Sequence, residues 1–328
     1  MSASGALSQL ARAVSAGDRR ALAKAITLVE STLQADHAAS LELLSLVAVP
    51  TKPAFRIGVT GVPGAGKSTL IDALGLQALA AGQRVAVLAI DPSSQQSGGS
   101  VLGDKTRMTR LSTEPSAFVR PSPTLGVLGG TGSRTRELIA LCEAAGYDLV
   151  LVETVGVGQS EERVASMVDC VLLLILAGAG DELSSMKRGL LESADLIAFN
   201  KADGDRVSVV ENEAAALRAS LGISRGQQVP PVVVISGHHG TGVATLWQSL
   251  SQYQQAAKQS GTFVVRRAAQ RRAWFDAALD TALRDLFVCR PEMISARIAA
   301  EKSVESGSAS PWEAAERLVA GLALAPGA

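Results

Sequence analysis

The sequence predicts an α/β fold, a doubly wound and mostly parallel sheet, with a helical extension before it and a helical region after it. Three observations carry this. Seven short apolar runs, Phe55–Thr60, Val85–Ile90, Ala117–Val119, Leu149–Val152, Cys170–Leu176, Leu196–Phe199 and Val232–Ile235, are mostly continuous rather than alternating. That is the pattern of strands buried on both faces. Helical stretches separate most of the runs, which calls for parallel strands with crossover helices. Polar, glycine-rich segments follow the runs, at the carboxyl ends where such sheets take their ligands.

In chain order, residues 1–50 read as a helical extension. Leu7, Leu10, Ala11 and Val14 fall on one helical face. Asp18 is placed to cap a second helix, with Leu22, Ile26, Val29 and Leu33 on its apolar side. Leu41, Leu44 and Val47 suggest a third helix. Pro50-Thr51-Lys52-Pro53 then punctuates the chain, and residues 51–260 carry the alternating pattern of the sheet domain. Residues 261–328 change character. Thr262 to Phe287 predicts one long helix with Trp274, Phe275, Ala278, Leu279, Ala282, Leu283 and Leu286 on a broad apolar face. Pro291 breaks it; a short helix, a Gly/Ser-rich turn at Ser303–Ser310 and a last helix from Pro311 to Leu322 follow. The apolar face exceeds what one α/β layer needs, so a homodimer through 261–328 is expected.

Composition narrows the function classes. Hydrophobic residues make up 47% of the 328 and charged residues 19%, which suits a globular protein with a substantial core. Thirty-one basic and thirty-one acidic residues cancel, and aromatics are only 3%, so neither a nucleic-acid partner nor a membrane surface is expected. Cys142, Cys170 and Cys289 form no Cys-x-x-Cys pair and read as reduced and buried, as in the cytoplasm. Met1–Val14 has no apolar core of signal-peptide length, and the longest apolar run, Cys170–Ala177, is too short to span a bilayer.

The chemistry begins at Gly61-Val62-Pro63-Gly64-Ala65-Gly66-Lys67-Ser68, which fills every position of the phosphate-binding pattern Gly-x4-Gly-Lys-Ser/Thr. The glycines let successive amide N–H groups turn toward phosphate oxygens, and the helix starting at Lys67-Ser68-Thr69 adds the positive end of its dipole. Lys67 can reach the β- and γ-phosphates, and the Ser68 hydroxyl can ligate Mg2+. Asn200-Lys201-Ala202-Asp203 fits Asn-Lys-x-Asp, the guanine-reading motif. The Asp203 carboxylate can accept from the guanine N1–H and 2-amino group, which adenine lacks on that edge. Lys201 can lay its stem on the base, and Asn200 can tie the loop together. Ser236-Gly237-His238 after the last run resembles the loop that backs the base. GTP or GDP with Mg2+ is therefore the expected cofactor set, with weak ATP binding.

Two further segments belong near the γ-phosphate. Glu153-Thr154-Val155-Gly156 stands where GTPases carry Asp-x-x-Gly, with the acid for Mg2+ and the Gly156 amide for the phosphate. Val157 replaces the glutamine that orients water in Ras-like proteins, and Gln159 lies two residues on, so slow unassisted hydrolysis is expected. Asp91–Ser94 through Gly98–Met108 stands where a first switch loop belongs. Asp91 and Asp104 can complete a Mg2+ shell, and Lys105 and Arg107 can stabilise charge.

Taken together, Gly61–Thr69, Asp91–Ser94 with Gly98–Met108, Glu153–Glu161, Gly178–Lys187 and Asn200–Asp203 resemble the metallochaperone branch of the SIMIBI class of P-loop GTPases. More closely they resemble the MeaB/ArgK/MMAA family, GTPase chaperones of adenosylcobalamin-dependent methylmalonyl-CoA mutase. The resemblance implies a homodimer joined through C-terminal helices. It also implies a further loop, here Ala177–Arg188, that couples nucleotide state to the mutase. With Lys67 and Glu153, Lys187 and Arg107 are then the candidate catalytic residues, the latter two as the cation supplied on complex formation. Two alternatives stand beside this reading. A nickel-delivery GTPase of the same branch usually carries His-rich or Cys-x-x-Cys segments, and this chain has three histidines. A protein kinase of a transport system would need a catalytic base, for which no motif stands out. His37 lacks the aspartate two residues earlier that the Asp-x-His-x-x-Gly cobalamin-ligating pattern requires, since Ala35 stands there.

Overall fold

The computed structural model describes residues 3–31, 33–47, 50, 52–91, 108–123, 134–154, 164–178, 188–225, 229–289 and 291–323. Among these residues seven strands form one all-parallel sheet: β1 Phe55–Gly61, β2 Val85–Asp91, β3 Ala117–Pro123, β4 Leu149–Glu153, β5 Cys170–Leu176, β6 Leu196–Asn200 and β7 Val232–Val234, in the order β3-β2-β4-β1-β5-β6-β7. Six of the predicted apolar runs lie within one of them, and Val232–Ile235 overruns β7 by its last residue. The central strands β1, β4, β5 and β6 are buried almost throughout, which is why β4, β5 and β6 are almost continuously apolar.

Three helices precede the sheet: α1 Ala3–Ser15, α2 Arg19–Glu30 and α3 Gln34–Leu46. Asp18 caps α2 as predicted, accepting Ala21 N–H at 2.9 Å and Arg20 N–H at 2.7 Å. These bonds hold its carboxyl below the usual carboxylate range. Two predicted positions are corrected here. Leu33 does not lie on the face of α2, which ends at Glu30; it caps α3 and is 66% exposed. On α3 the buried leucine is Leu43, while Leu41 points to solvent, because Leu43 and Ser40 share the inward face.

The crossover elements follow the strands: α4 Lys67–Ala80, α5 Thr109–Thr113, α6 Thr135–Ala144, α7 Arg188–Ser193, α8 Val207–Arg225 and α9 Val243–Gln259. On one face Leu70, Ile71 and Leu74 of α4 join Leu246 and Leu250 of α9 in a core with alternate residues of the strands. On the other, Val210 and Ala214 of α8 pack with Leu173, Ile175, Ile197 and Phe199. Helices on both faces make the sheet doubly wound. Three more helices close the chain: α10 Thr262–Cys289, α11 Pro291–Glu305 and α12 Pro311–Ala323. The chain divides into two compact units, Met1–Ala268 and Ala269–Ala328. Among the described residues no helix is long and apolar enough to cross a membrane. Cys142 and Cys170 are buried free thiols, and that burial pushes both further from ionisation; the Cys289 side chain lies outside the described residues.

Within the first unit, the amino-terminal edge of the sheet holds a buried charge network that the sequence did not announce. Arg267, in the opening turns of α10, donates from Nε to Asp169 Oδ1 at 2.5 Å, from Nη2 to Asp169 Oδ2 at 2.6 Å and to Ala54 O at 2.7 Å, and from Nη1 to Glu143 Oε1 at 2.9 Å. Arg56 at the start of β1 donates to both oxygens of Glu143, at 2.9 and 2.6 Å. Burial works against both guanidiniums. In Arg267 the bonds to Asp169 and the field of Glu143 outweigh it and raise the pKa, whereas in Arg56 burial prevails and lowers it. Arg266 bonds Asp195, which also accepts from the Tyr253 hydroxyl at 2.7 Å. The first turns of α10 are thus fastened to the strands by paired charges.

Candidate functional site

The parallel register brings the carboxyl ends of the strands together. Val59 pairs with Glu153, Gly61 with Leu174, Leu176 with Asn200 and Phe199 with Val234. Each predicted motif that lies within the described residues is therefore on one edge.

The phosphate loop Val62–Gly66 joins β1 to α4. Gly61 has φ +146°, and a Cβ there would lie 2.4 Å from Leu174 O. Gly66 has φ +88°, and a Cβ would lie 2.6 Å from Asn200 Nδ2. Only glycine fits either place. Lys67 begins α4, is 8% exposed, and its Nζ donates to the loop's own carbonyls, Gly61 O at 2.8 Å and Val62 O at 3.0 Å. Ser68, also buried, donates from Oγ to Glu153 Oε1 at 2.7 Å. The two predicted Mg2+ ligands at this spot are thus within one hydrogen bond, although they lie 85 residues apart in sequence. Thr69 sits in the same helical turn. Thr154, just after Glu153, is buried and bonds Thr60 Oγ1 at 3.1 Å, locking β4 to β1 beside the loop.

Asn200 is 2% exposed and joins three segments. Its Nδ2 donates to Ala65 O in the phosphate loop at 2.7 Å, and its Oδ1 accepts Gly237 N–H at 2.9 Å. Lys201 has φ +60°, the one non-glycine residue in the left-handed region among those described. Such a conformation costs about 1–3 kcal/mol and persists where surrounding contacts over-determine it, commonly at binding sites. Ala202 N–H donates to Ile235 O at 3.1 Å, and Ser236 Oγ accepts His239 N–H at 3.0 Å. The His238 side chain is exposed, so at this position only the backbone faces inward. His238 and His239 stack edge-to-face at 4.8 Å.

Asp203 Oδ1 is buried with no hydrogen-bond partner among the described residues. A buried acceptor left this way costs about 1–3 kcal/mol unless a ligand completes it. Guanine offers two adjacent N–H donors for such a carboxylate. The residues present therefore fit a guanine nucleotide. Ser68 with Glu153 also fits Mg2+, which keeps water and phosphate oxygens and needs few protein ligands. Among the described residues no group of three or more His, Cys, Asp or Glu side chains converges into an all-protein metal cage.

Other predicted residues are not described at this edge. Asp91 ends β2, but its side chain is not described, and Asp104, Arg107, Gly156 and Lys187 lie outside the described residues. One supporting residue went unflagged by the sequence. Asp72 on α4, 5% exposed, accepts Leu111 N–H at 2.9 Å and Arg110 Nε–H at 2.8 Å, fastening α5 to the phosphate-loop helix. An aspartate five residues past the motif lysine has no motif to mark it.

Comparisons with known proteins agree with this geometry. The family described as methylmalonyl Co-A mutase-associated GTPase MeaB matches residues 22–292. A "Putative GTPase" of Caulobacter vibrioides is 48% identical over 313 residues, covering 94% of this chain and 95% of that protein. The mouse protein "Methylmalonic aciduria type A homolog, mitochondrial" is 41% identical over 316 residues, covering 92% and 76%. A crystal structure of a LAO/AO transport system kinase superposes with a TM-score of 0.71 at 33% identity, over 97% of this chain and 98% of that one.

Proposed function

The chain belongs to the MeaB family, and on that premise we propose that it binds and hydrolyses GTP with Mg2+ and assists an adenosylcobalamin-dependent methylmalonyl-CoA mutase by gating cofactor loading and release. The observation that carries the nucleotide assignment is the buried, unpartnered Asp203 Oδ1 beside Asn200, which is itself bonded to the phosphate loop. A site whose buried acceptor awaits two N–H donors selects guanine over adenine. That also argues against an ATP-using kinase, although one related structure is titled a LAO/AO transport system kinase. The mutase partner is supported by the family description and by the name of the mouse relative.

In this reading the loop amides and Lys67 hold the β- and γ-phosphates, and Lys67 exchanges its bonds to Gly61 O and Val62 O for phosphate oxygens. Ser68 and Glu153 are the residues that would hold Mg2+, which would supply neutralisation of the phosphate charge. Asp91 and Asp104 are further candidates by sequence position, as is Gly156 for the γ-phosphate. With Val157 where glutamine orients water elsewhere, intrinsic turnover is slow. The partner accelerates it by ordering a cation, Lys187 or Arg107, worth about 10^3- to 10^5-fold in GTPases generally. Single-turnover GTP hydrolysis with and without the mutase tests this. Wild type is expected to be stimulated, and Lys187→Ala to lose most of the stimulation. No stimulation of wild type would defeat the chaperone reading.

The proposed working form is a cytoplasmic homodimer joined through 261–328. Phe275, Leu279 and Leu283 lie four residues apart along α10 and are 63%, 45% and 46% exposed, and Trp312 on α12 is 79% exposed. An apolar stripe of that kind is what a second copy covers. Light scattering at micromolar concentration is expected to return the mass of two chains, and Leu279→Glu with Leu283→Glu the mass of one.

A further inference from the structure

The guanine-reading segment reaches across to the neighbouring strand. A short turn, Gly204–Arg206, follows Asp203 directly and leads into α8. Arg206 N–H donates to Asp203 O at 3.1 Å, which closes that turn. From it the Arg206 guanidinium donates to Ala177 O at 2.9 Å. Two turns along α8, Glu213 accepts the Gly178 N–H with both carboxylate oxygens, at 2.9 and 3.1 Å. Ala177 and Gly178 are the residues by which the chain leaves β5. Gly178 turns there with φ +85°, so its N–H has left the strand ladder and needs an acceptor elsewhere. One cation and one anion, both from the segment that starts at the guanine-reading turn, therefore bracket this exit. Charge-assisted bonds of this kind are about twice as strong as neutral ones.

We infer that Arg206 and Glu213 are positioning residues that fasten the exit of β5 to the guanine-reading turn, so that occupancy of the guanine site sets the backbone at Ala177–Gly178. The inference rests on the guanine-nucleotide reading above. A base held by Asp203 restrains the closed turn, the turn restrains Arg206 and the start of α8, and the two side chains restrain Ala177 O and Gly178 N–H. The coupling runs equally in reverse: whatever holds Ala177–Gly178 in this arrangement tightens the guanine site by the same factor.

Hydrogen exchange at the Gly178 amide of the full-length protein, with and without GDP, tests this. GDP affinity is measured alongside by calorimetry, and the amides of Val171–Leu176 serve as a fold control. In wild type GDP is expected to slow Gly178 exchange by about tenfold, within the usual range of coupling between sites. Arg206→Met is expected to abolish that GDP-dependent slowing. Glu213→Gln, which keeps an acceptor but loses its charge, is expected to raise Gly178 exchange in both states. Because the coupling is reciprocal, GDP affinity in either variant falls by about tenfold or less. GDP binding with no change at Gly178, or an undiminished GDP effect in Arg206→Met, overturns the inference alone. A much larger loss of GDP affinity with the control amides intact places these residues in the nucleotide site itself and overturns the positioning role. Failure of wild type to bind GDP overturns both the nucleotide reading and the inference built on it.

Discussion

Asp203→Asn is expected to lower GDP affinity by on the order of 10^4-fold and to raise affinity for xanthosine diphosphate, with ADP binding as weak as before. The reason is the pairing at one edge of the base. Guanine presents N1–H and a 2-amino group, two donors that a carboxylate accepts together. Asparagine turns one of those acceptors into a donor, which meets the guanine amino group head-on. Xanthine carries an oxygen at that position, so the amide pairs with it and with N1–H. The effect is large because Asp203 Oδ1 is already out of water and unpartnered among the described residues, so a mismatched group has no solvent to turn to. The phosphate loop should be untouched, since its tie to the base-reading segment runs through Asn200 rather than Asp203. Calorimetry with GDP, XDP and ADP on both proteins checks this. Equal GDP affinity for wild type and variant would remove Asp203 from the guanine edge.

The second large effect is on stability. Arg267→Met is expected to cost about 3–5 kcal/mol, as breaking a buried ion pair by removing one partner does. Both Asp169 and Arg267 are almost wholly shielded, at 2% and 7% side-chain exposure, so neither charge is solvated when left alone. Without Arg267, Asp169 keeps the Arg56 backbone N–H at 2.8 Å but loses both guanidinium bonds, and Ala54 O loses its donor. The melting temperature should fall by on the order of 10 °C. Adding Asp169→Asn should recover part of the loss, because it removes the uncompensated charge, and that non-additivity separates the ion pair from simple packing. GDP affinity should not change. The network sits at the start of β1 and the phosphate loop at its end, about 20 Å away along a seven-residue strand. A variant that melts within about 1 kcal/mol of wild type would show that this network contributes nothing beyond what apolar side chains would.

Much of the fold was legible in the chain itself. A strand buried on both faces is apolar except where a buried partner meets the polar group, as Glu143 meets Arg56 in β1, so each run from Phe55 to Ile235 marked its strand without reference to any other. The helices of the ends were legible by the same kind of local signal: Asp18 before α2, Pro291 at the break after α10, Pro311 at the start of α12. The errors came where a local signal was weak. Ser31 ends α2 in an extended conformation, and its side chain bonds Asp36 at 2.5 Å, so the helical face that would have included Leu33 stops short of it.

The site divides along the same line. The phosphate loop and Asn-Lys-Ala-Asp carry their chemistry in consecutive residues, and such chemistry can be read by spacing because the backbone that presents it is local. The sequence alone therefore determined the strand-buried core and marked the segments of the candidate nucleotide site. The tertiary structure alone decided the strand order and, through it, every partnership between distant residues: Ser68 with Glu153, Asn200 with Ala65 and Gly237, Arg267 with Asp169 and Glu143, Arg206 with Ala177. In sequence Arg267, Asp169 and Glu143 look like ordinary solvated charges. They become buried pairs only because parallel strands set next to one another bring their ends into register, and a charge removed from water keeps its place only where an opposite one meets it.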